Sequence, residues 1–591
     1  MMKYIVMEHK FISKSRDYSE WDIEPSINIH PIEHKFISKS RDYSEWDIEP
    51  SINIHPIEHK LLNNDVFHIE NDQVNIIDSP TRTYQFHTGV LILQGNKTFG
   101  KDKKGRMYYK CIPNDKTLPI FLVPYELRIG FNKNHLNKYV LFSFSNWDGK
   151  HPTGLLKETF GDVDNFSSFC NYQLWCKKLV HSISQFNRHM KICLKNLPED
   201  LYIRTISENN KYKLRNKTCE KVYTIDPENS KDLDDAFSVQ ELNNDLVKIH
   251  IHIANVFIAL DTFELWDHLT KRVSTIYLPE ERRTMLPEIL SDNICSLIKN
   301  KTRPVFTMEF IYNKKENKIQ TESIQYYNAL VTINDNFVYE DENMKQNEDY
   351  QLLFAITKKL NPTIIDSHDV VSHWMIYMNT CVANELMQHK CGVFRVISKN
   401  ENIQDNLDNV KDQDAKQTLS LWNSISGSYQ LYSENMNARH DILDTQSYVH
   451  ITSPIRRFVD IMNQYYFLKH FLHIDTTNID MQTHENNIDQ LNEDVKSIRK
   501  VQSECDLLYS CNHNESLMNS IHDGIVFNQQ KEGNGFKYNV YIKSIRKISY
   551  FKCDDVIENY STKKFKLFLF DAENSGYRKI RLAMQHNESI C

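Results

Sequence analysis

The stretch Tyr223-Thr-Ile-Asp-Pro-Glu-Asn-Ser-Lys-Asp-Leu-Asp-Asp-Ala-Phe-Ser238 constrains this chain more than any other. It puts four aspartates, Asp226, Asp232, Asp234 and Asp235, into ten residues between two apolar runs. Val222 to Ile225 and Ala236 to Val239 read as strand ends, so the acids fall in or beside one connecting loop. Four acids held this close repel one another and destabilise a fold unless cations neutralise them. Hard divalent cations with oxygen ligands answer that need, and Mg²⁺ keeps waters and takes phosphate oxygens as well. The sharp reading is a two-metal hydrolytic site for a phosphodiester. The plain reading is a solvated acidic loop. A Ca²⁺ loop of the EF-hand type is excluded, because its Gly and terminal Glu are missing at their fixed offsets.

Far along the chain, Tyr448-Val-His-Ile-Thr-Ser-Pro-Ile-Arg-Arg-Phe-Val-Asp460 sets two adjacent guanidinium groups behind a Ser-Pro turn. Together the two stretches resemble the signatures of the ribonuclease II family (the RNB domain), whose members degrade RNA from the 3′ end. The family reads Thr-Ile-Asp, then acids six, eight and nine residues after the first, and later Thr-Ser-Pro-Ile-Arg-Arg. Tyr277-Leu-Pro279, Met285-Leu-Pro287 and Leu290-Ser-Asp-Asn-Ile-Cys-Ser-Leu297 match between them. The resemblance covers roughly residues 80–591 and is closest in layout to the exosome-type, ribonuclease R-like branch. It implies an α+β multidomain protein, with an RNB catalytic domain of mixed sheet and helices flanked by small OB-type β-barrels.

The resemblance also implies roles. Asp226, Asp232, Asp234 and Asp235 become metal ligands for Mg²⁺ or Mn²⁺, with Asp234 nearest the chemistry. Arg456 holds the scissile phosphate with its planar fork of donors, and Arg457 stands beside it on the RNA. Tyr277 resembles the aromatic clamp on the terminal base, Phe394 offers a second stacking face, and Glu504 supports the site from a late helix that also carries Arg499 and Asp506. The implied reaction is Mg²⁺-dependent hydrolysis of single-stranded RNA, 3′ to 5′, to nucleoside 5′-monophosphates. Two departures stand out: Asn255 occupies the Asp position of His-Ile-Ala-Asp-Val, and Gln464-Tyr465 replaces a common His-Arg. They keep open an RNB-like protein that binds RNA or bridges proteins without cutting. A metal-dependent phosphohydrolase acting on small nucleotides is the third reading.

Bulk properties bound the rest. At 591 residues the chain exceeds one core. A net charge of -7 excludes a globally basic nucleic-acid binder but not a local channel. The twelve cysteines include no C-x-x-C pair, so neither a zinc site nor a disulfide framework is expected. No dinucleotide cofactor, membrane span or signal peptide is expected, which points to the cytoplasm; protein partners are not legible. Residues 8–32 recur unchanged at 33–57, too few copies for a solenoid. Such identity marks a recent duplication or an assembly error, and residues 1–60 receive no fold or function. Residues 80–165 are expected to form a cold-shock-like OB domain whose Lys101, Lys103, Lys104, Arg106, Tyr108 and Tyr109 suit single-strand binding. Residues 166–515 then form the RNB domain and 516–591 a degenerate C-terminal barrel. Leu174 to Met190 has helical spacing, Val247 to Ile253 alternates as a strand, and 398–415 reads as a polar excursion. His250 and His252 read as hydrogen-bonded histidines rather than ligands.

Overall fold

In the computed structural model, both copies of the duplicated segment form an antiparallel hairpin in one shared register, longer in the first copy than in the second. Strands β1 (Lys3–Ser13) and β2 (Trp21–Pro31) pair with Phe11 opposite Ile23. Strands β3 (His34–Ser38) and β4 (Trp46–Glu49) pair with Phe36 opposite Ile48, the equivalent residues of the second copy. The second copy also docks on β5 (Val66–Glu70), which β6 (Gln73–Asp78) extends into a four-stranded sheet. Phe36, Ile48, Leu61, Leu62, Phe67 and Trp147 bury its inner face. Residues 33–78 therefore fold where the sequence pattern assigns nothing, because their core draws on residues beyond the repeat.

The structure describes residues 3–13, 21–31, 33–71, 73–127, 135–269, 271–397, 427–532, 535–571 and 578–585, with single positions between 410 and 419. The polar stretch 398–415 lies outside the described residues except at Val410, Asp412, Gln413 and Ala415. Two compact units emerge: residues 1–176, 508–518 and 567–581, and residues 177–507, 519–566 and 582–591.

In the first unit, β7 (His87–Leu91), β8 (Met107–Pro113), β9 (Phe121–Tyr125), β10 (Lys138–Asn146) and β11 (Thr153–Asp162) close into a barrel in the order β10-β11-β9-β8-β7. Inward residues Leu91, Tyr109, Cys111, Phe121, Val123, Val140 and Phe142 fill it. Gly89 permits the closure, since a Cβ there would meet Cys111 Sγ at 2.8 Å and the Ile112 carbonyl at 3.0 Å. Tyr109 is thus a core residue and not a stacking face, and Arg106 is paired with Asp102 at 2.7 Å.

The helical spacing from Leu174 to Met190 proves interrupted. Helix α1 (Phe166–Cys176) ends, Lys178 takes a left-handed φ of 57°, and α2 (Ser184–Asn196) starts anew. The second unit is built on a mixed sheet in the order β12-β19-β13-β14-β15-β18, where β18 also pairs with β19 and the sheet curls back on itself. Its strands are β12 (Arg215–Asn216), β13 (Val222–Asp226), β14 (Asp235–Glu241), β15 (Leu246–Ala254), β18 (Thr302–Asn313) and β19 (Lys318–Val338). A short hairpin, β16 (Ile276–Tyr277) and β17 (Arg282–Arg283), stands apart from it. The alternating β15 is buried on both faces, which places His250 and His252 inside the protein. They are hydrogen-bonded there: Ser238 Oγ lies 3.0 Å from His250 Nδ1 and 3.0 Å from His252 Nε2, and Glu309 and Thr307 take the other ring nitrogens.

Helix α3 (Val256–Thr262) begins at Asn255, whose Oδ1 accepts the Ile258 N–H while its Nδ2 donates to Asn328 Oδ1 at 2.9 Å. Asn255 thus caps a helix as an Asp would, and adds a donor an Asp lacks. Gln464, on α5 (Phe458–His470), donates to the Ala254 carbonyl at 2.8 Å, so it ties α5 to the end of β15. The stripe of α4 (Ser367–Gln388) is core, with Trp374, Met378, Val382 and Leu386 buried. After α6 (Ile488–His513), strands β22 (Ile521–Glu532), β23 (Gly535–Ile542), β24 (Lys547–Cys553) and β25 (Thr562–Asp571) pair in the order β24-β23-β22-β25, where a barrel is expected. No helix among the described residues is long and apolar enough to cross a membrane.

Candidate active site

The acid loop joins β13 to β14 and is pinned from below. Leu233, only 7% exposed, turns inward; its N–H donates to Ser296 Oγ at 3.1 Å, and its carbonyl accepts the Leu297 N–H at 3.0 Å. Ser296 Oγ also donates to the Lys231 carbonyl at 2.7 Å. The Leu290–Leu297 segment is therefore the cradle that fixes the loop, and with Leu233 anchored, Asp232 and Asp234 flank it.

The Ser-Pro-Ile-Arg turn meets this loop from 220 residues away. Asp234, 2% exposed, accepts the Ile455 N–H on Oδ1 at 2.8 Å and Arg456 Nε on Oδ2 at 3.2 Å. Arg456 Nη2 reaches Ser453 Oγ at 3.0 Å, which holds the fork in place. Asp460, in the first turn of α5, accepts the Ser453 N–H at 2.7 Å and Arg457 Nη2 at 2.8 Å, so Arg457 braces the turn while its Nε stays buried without a partner. Segment 273–275 pairs with 456–458: the Thr275 N–H donates to the Arg456 carbonyl at 3.0 Å and the Phe458 N–H to the Val273 carbonyl at 3.0 Å. That pairing delivers the β16–β17 hairpin to the acids. There the Tyr277 hydroxyl donates to Asp232 Oδ2, and Arg282 Nη1 donates to Asp232 Oδ1 at 2.7 Å.

Within the acid loop, Asp226 Oδ2 and Asp235 Oδ2 are buried and have no hydrogen-bond partner among the described residues, as is also the case for Asp460 Oδ2 behind the arginine turn. Burial, and then the neighbouring Asp235, push the Asp226 carboxyl up to about 8. Burial raises Asp235 to about 6 against the pull of Arg456 and Arg457, and burial also pushes Asp234 up, against the charge of Arg456 and the Ile455 N–H that favour its ionised form. Two buried carboxylate oxygens without a hydrogen-bond partner, on neighbouring acids, are hard donors that fit a divalent metal. Burial alone lowers Arg456, but the charge of Asp234 outweighs it, so the guanidinium stays fully protonated.

The structure brings together Asp226, Asp232, Asp234, Asp235, Arg456 and Tyr277, with Arg457 beside them. Phe394 is a correction: at 0% exposure it is sealed in the core and offers no ring face to a base. Its β20 (Val393–Val396) packs against Val449 of the arginine motif, so it supports the turn. Glu504 lies half-buried on α6 and, among the described residues, has no hydrogen bond to the acids or to Arg456; Asp506 pairs with Lys547 at 3.0 Å. Two further residues belong to the site. Arg282 bridges Asp232 and Asp292, the latter at 2.6 Å. Tyr339 donates its N–H to the Asp226 carbonyl at 3.1 Å, stacks on His368 at 3.6 Å, and is raised by burial and then by Asp235 and Asp226. Its only trace in the sequence is its place one residue past a strand.

The family model of the RNB domain matches residues 212–344 and 342–474, which contain all of these side chains except Glu504. Residues 212–474 thus match the RNB domain. The DIS3-like exonuclease 2 of Schizosaccharomyces pombe is 31% identical over 217 residues, which is 35% of this chain and 22% of that relative. The alignment thus spans well under two thirds of the relative's own length. Mycoplasma genitalium RNase R, solved in complex with ribose-methylated single-stranded RNA, superposes with a TM-score of 0.64 at 15% identity, covering 93% of this chain and 100% of that one. Yeast Ssd1, described as a pseudonuclease, superposes with a TM-score of 0.57 at 14% identity, covering 87% of this chain and 72% of that one. The chain thus has the RNase R-like fold, an α+β arrangement of mixed sheet and OB-type barrel.

Proposed function

We propose that this RNB protein is a divalent-metal-dependent exoribonuclease that hydrolyses single-stranded RNA from the 3′ end to nucleoside 5′-monophosphates. The observation that carries the reading is the pair of partnerless buried oxygens on Asp226 and Asp235, one residue from the Asp234–Arg456 pair. Asp226 and Asp235 would hold the cation once they give up their protons, while Tyr277 and Arg282 fix Asp232 beside them. When bound, Mg²⁺ or Mn²⁺ lowers the pKa of the attacking water and neutralises charge at phosphorus and the departing 3′ oxygen. Asp234 fixes Arg456 through Nε, which leaves the outer edge of the fork for the scissile phosphate. Tyr277, 37% exposed, has ring surface left for the terminal base while its hydroxyl stays on Asp232. Glu504 is assigned a supporting role from α6, and Arg457 holds the turn rather than the RNA. The domain limits proposed are 80–165 for the OB barrel, 166–515 for the RNB domain and 516–591 for the C-terminal barrel.

A second reading has its own support. Both oxygens of Asp232 and both of Asp234 are already engaged within the protein, which suits an RNB chain that binds RNA without cutting it. Incubation with Mg²⁺ and a 5′-labelled single-stranded RNA separates the two. A descending ladder that EDTA stops, and that Mg²⁺ or Mn²⁺ but not Zn²⁺ restores, is expected. Intact RNA that is nevertheless retained by the protein establishes the second reading.

A further inference from the structure

Beside the β16–β17 hairpin lies a cavity of about 530 Å³, lined in part by residues 281–284 of that hairpin. Lys191, Arg272, Arg282 and Arg283 line it together with the carboxylates Glu281 and Glu288, and Asn187, Ile183 and Ile289 contribute to its walls. We propose that this cavity binds the phosphate of a nucleoside monophosphate, as a holding site for the nucleotide released at the acids one hairpin away.

Four observations carry this. The size suits a single nucleotide, within the range of small-molecule pockets and too small for a folded partner. The cations are aimed by the backbone: Arg272 Nε donates to the His181 carbonyl at 2.9 Å and its Nη1 to the Thr284 carbonyl at 2.6 Å. Burial, and then the charge of Arg283, depress Arg272, so these two guanidinium groups repel each other, and an anion between them removes that repulsion. Finally, a second cavity shares Asn187 and Lys191 and adds Arg188 and Lys195 from the same face of α2, with no acid in its lining. The first cavity also carries Glu281, paired with Arg283 at 3.1 Å, and Glu288, so its lining sets four cations against two carboxylates. Neither cavity is lined by an aromatic ring, so recognition falls on the phosphate and not on a stacked base. The hairpin links the sites mechanically: Tyr277 and Arg282 are directly opposed in the ladder and both grip Asp232, while Ile276 and Arg283 form the next pair.

The identity of the nucleotide as product rests on the exoribonuclease reading; the site itself does not. The test uses the full chain in EDTA, where no RNA is cut, with adenosine 5′-monophosphate as probe in a calorimeter at low salt. Binding is expected, adenosine without phosphate is expected not to bind, and Lys191→Glu is expected to weaken affinity about tenfold or more by reversing a charge beside the phosphate. Lys191 is exposed, so this variant keeps its fold, and Lys191→Arg restores binding. Asp226→Asn leaves the affinity unchanged, which separates this site from the acids. Affinity unchanged in both Lys191→Glu and Arg283→Gln overturns the proposal, as does equal binding of adenosine, or binding only of longer oligoribonucleotides. Lys191-dependent binding in a protein that cuts no RNA removes the enzymatic reading and keeps the site; cutting without Lys191-dependent binding does the reverse.

Discussion

Metal affinity at the acids should depend on pH in a direction the structure dictates. Asp226, raised to about 8 by burial and by Asp235, is the group that must lose a proton before a cation enters. With that value it is roughly 1% ionised at pH 6 and half ionised at pH 8, so Mn²⁺ affinity should rise roughly 50-fold across the interval and level off above pH 9. Asp235, raised to about 6, adds a smaller rise at the acid end. Calorimetric titration in two buffers of different ionisation enthalpy counts the protons, and about one should be released per metal at pH 7. The metal-free protein carries the mirror image. These carboxyls keep protons in the folded state that the unfolded chain sheds near pH 4, so their contribution to stability is full below about pH 4 and is lost as pH rises to about 8. Metal should restore the melting temperature at pH 8 and do little at pH 5. A metal affinity that stays flat from pH 6 to pH 8 with no proton release would refute the assignment of Asp226 and Asp235 as ligands.

Three substitutions extend the argument. Asp234→Asn keeps an acceptor for the Ile455 N–H but turns an amide toward Arg456 Nε; cleavage should fall at least about 100-fold, by about 3 kcal/mol, with wild-type cleavage in a labelled-RNA assay removing Asp234 from the chemistry. Tyr277→Ala should lengthen the end product, because a stacked base is worth about 1–3 kcal/mol, enough to matter only when few nucleotides remain bound; Tyr277→Phe should keep the end product and disturb only the bond to Asp232, and identical ladders from all three proteins mark Tyr277 as packing. Asn255→Asp should keep the helix cap yet set a carboxylate against Asn328 Oδ1, lowering stability by about 1–3 kcal/mol in a denaturant titration, an outcome that an unchanged midpoint contradicts.

Much of the site was legible because its chemistry is dense in the chain. Four acids in ten residues and a paired arginine behind a proline leave few alternatives, and the structure places Arg456 on Asp234. Phe394 was misread because an aromatic beside Gly392 looks the same in sequence whether it faces a ligand or the core; only β20 pairing with β21 (Ser428–Leu431) and Val449 decides. Arg282 and Tyr339 carry no local pattern at all, since their partners lie 50 and 113 residues away in the chain. Asn255 looked like a lost charge, while its value is a side-chain donor that no one-letter comparison with Asp displays. The fold of residues 33–78 escaped for the opposite reason: a repeat draws attention to its period, whereas its core is completed by Leu61, Leu62, Phe67 and Trp147 outside it.

That repeat leaves the first unit with two identical hairpins and one berth. Nothing in their residues distinguishes which copy lies against β5; only tether length does, with 16 residues between Glu49 and Val66 and 41 between Glu24 and Val66. Loop closure varies with the logarithm of length, so the longer tether costs only about 0.8 kcal/mol more. A gap that narrow makes the docked copy a matter of odds, about four to one, and the chain a small register of interchangeable parts. Excising residues 8–32 should then leave the melting temperature of the remaining chain nearly where it was.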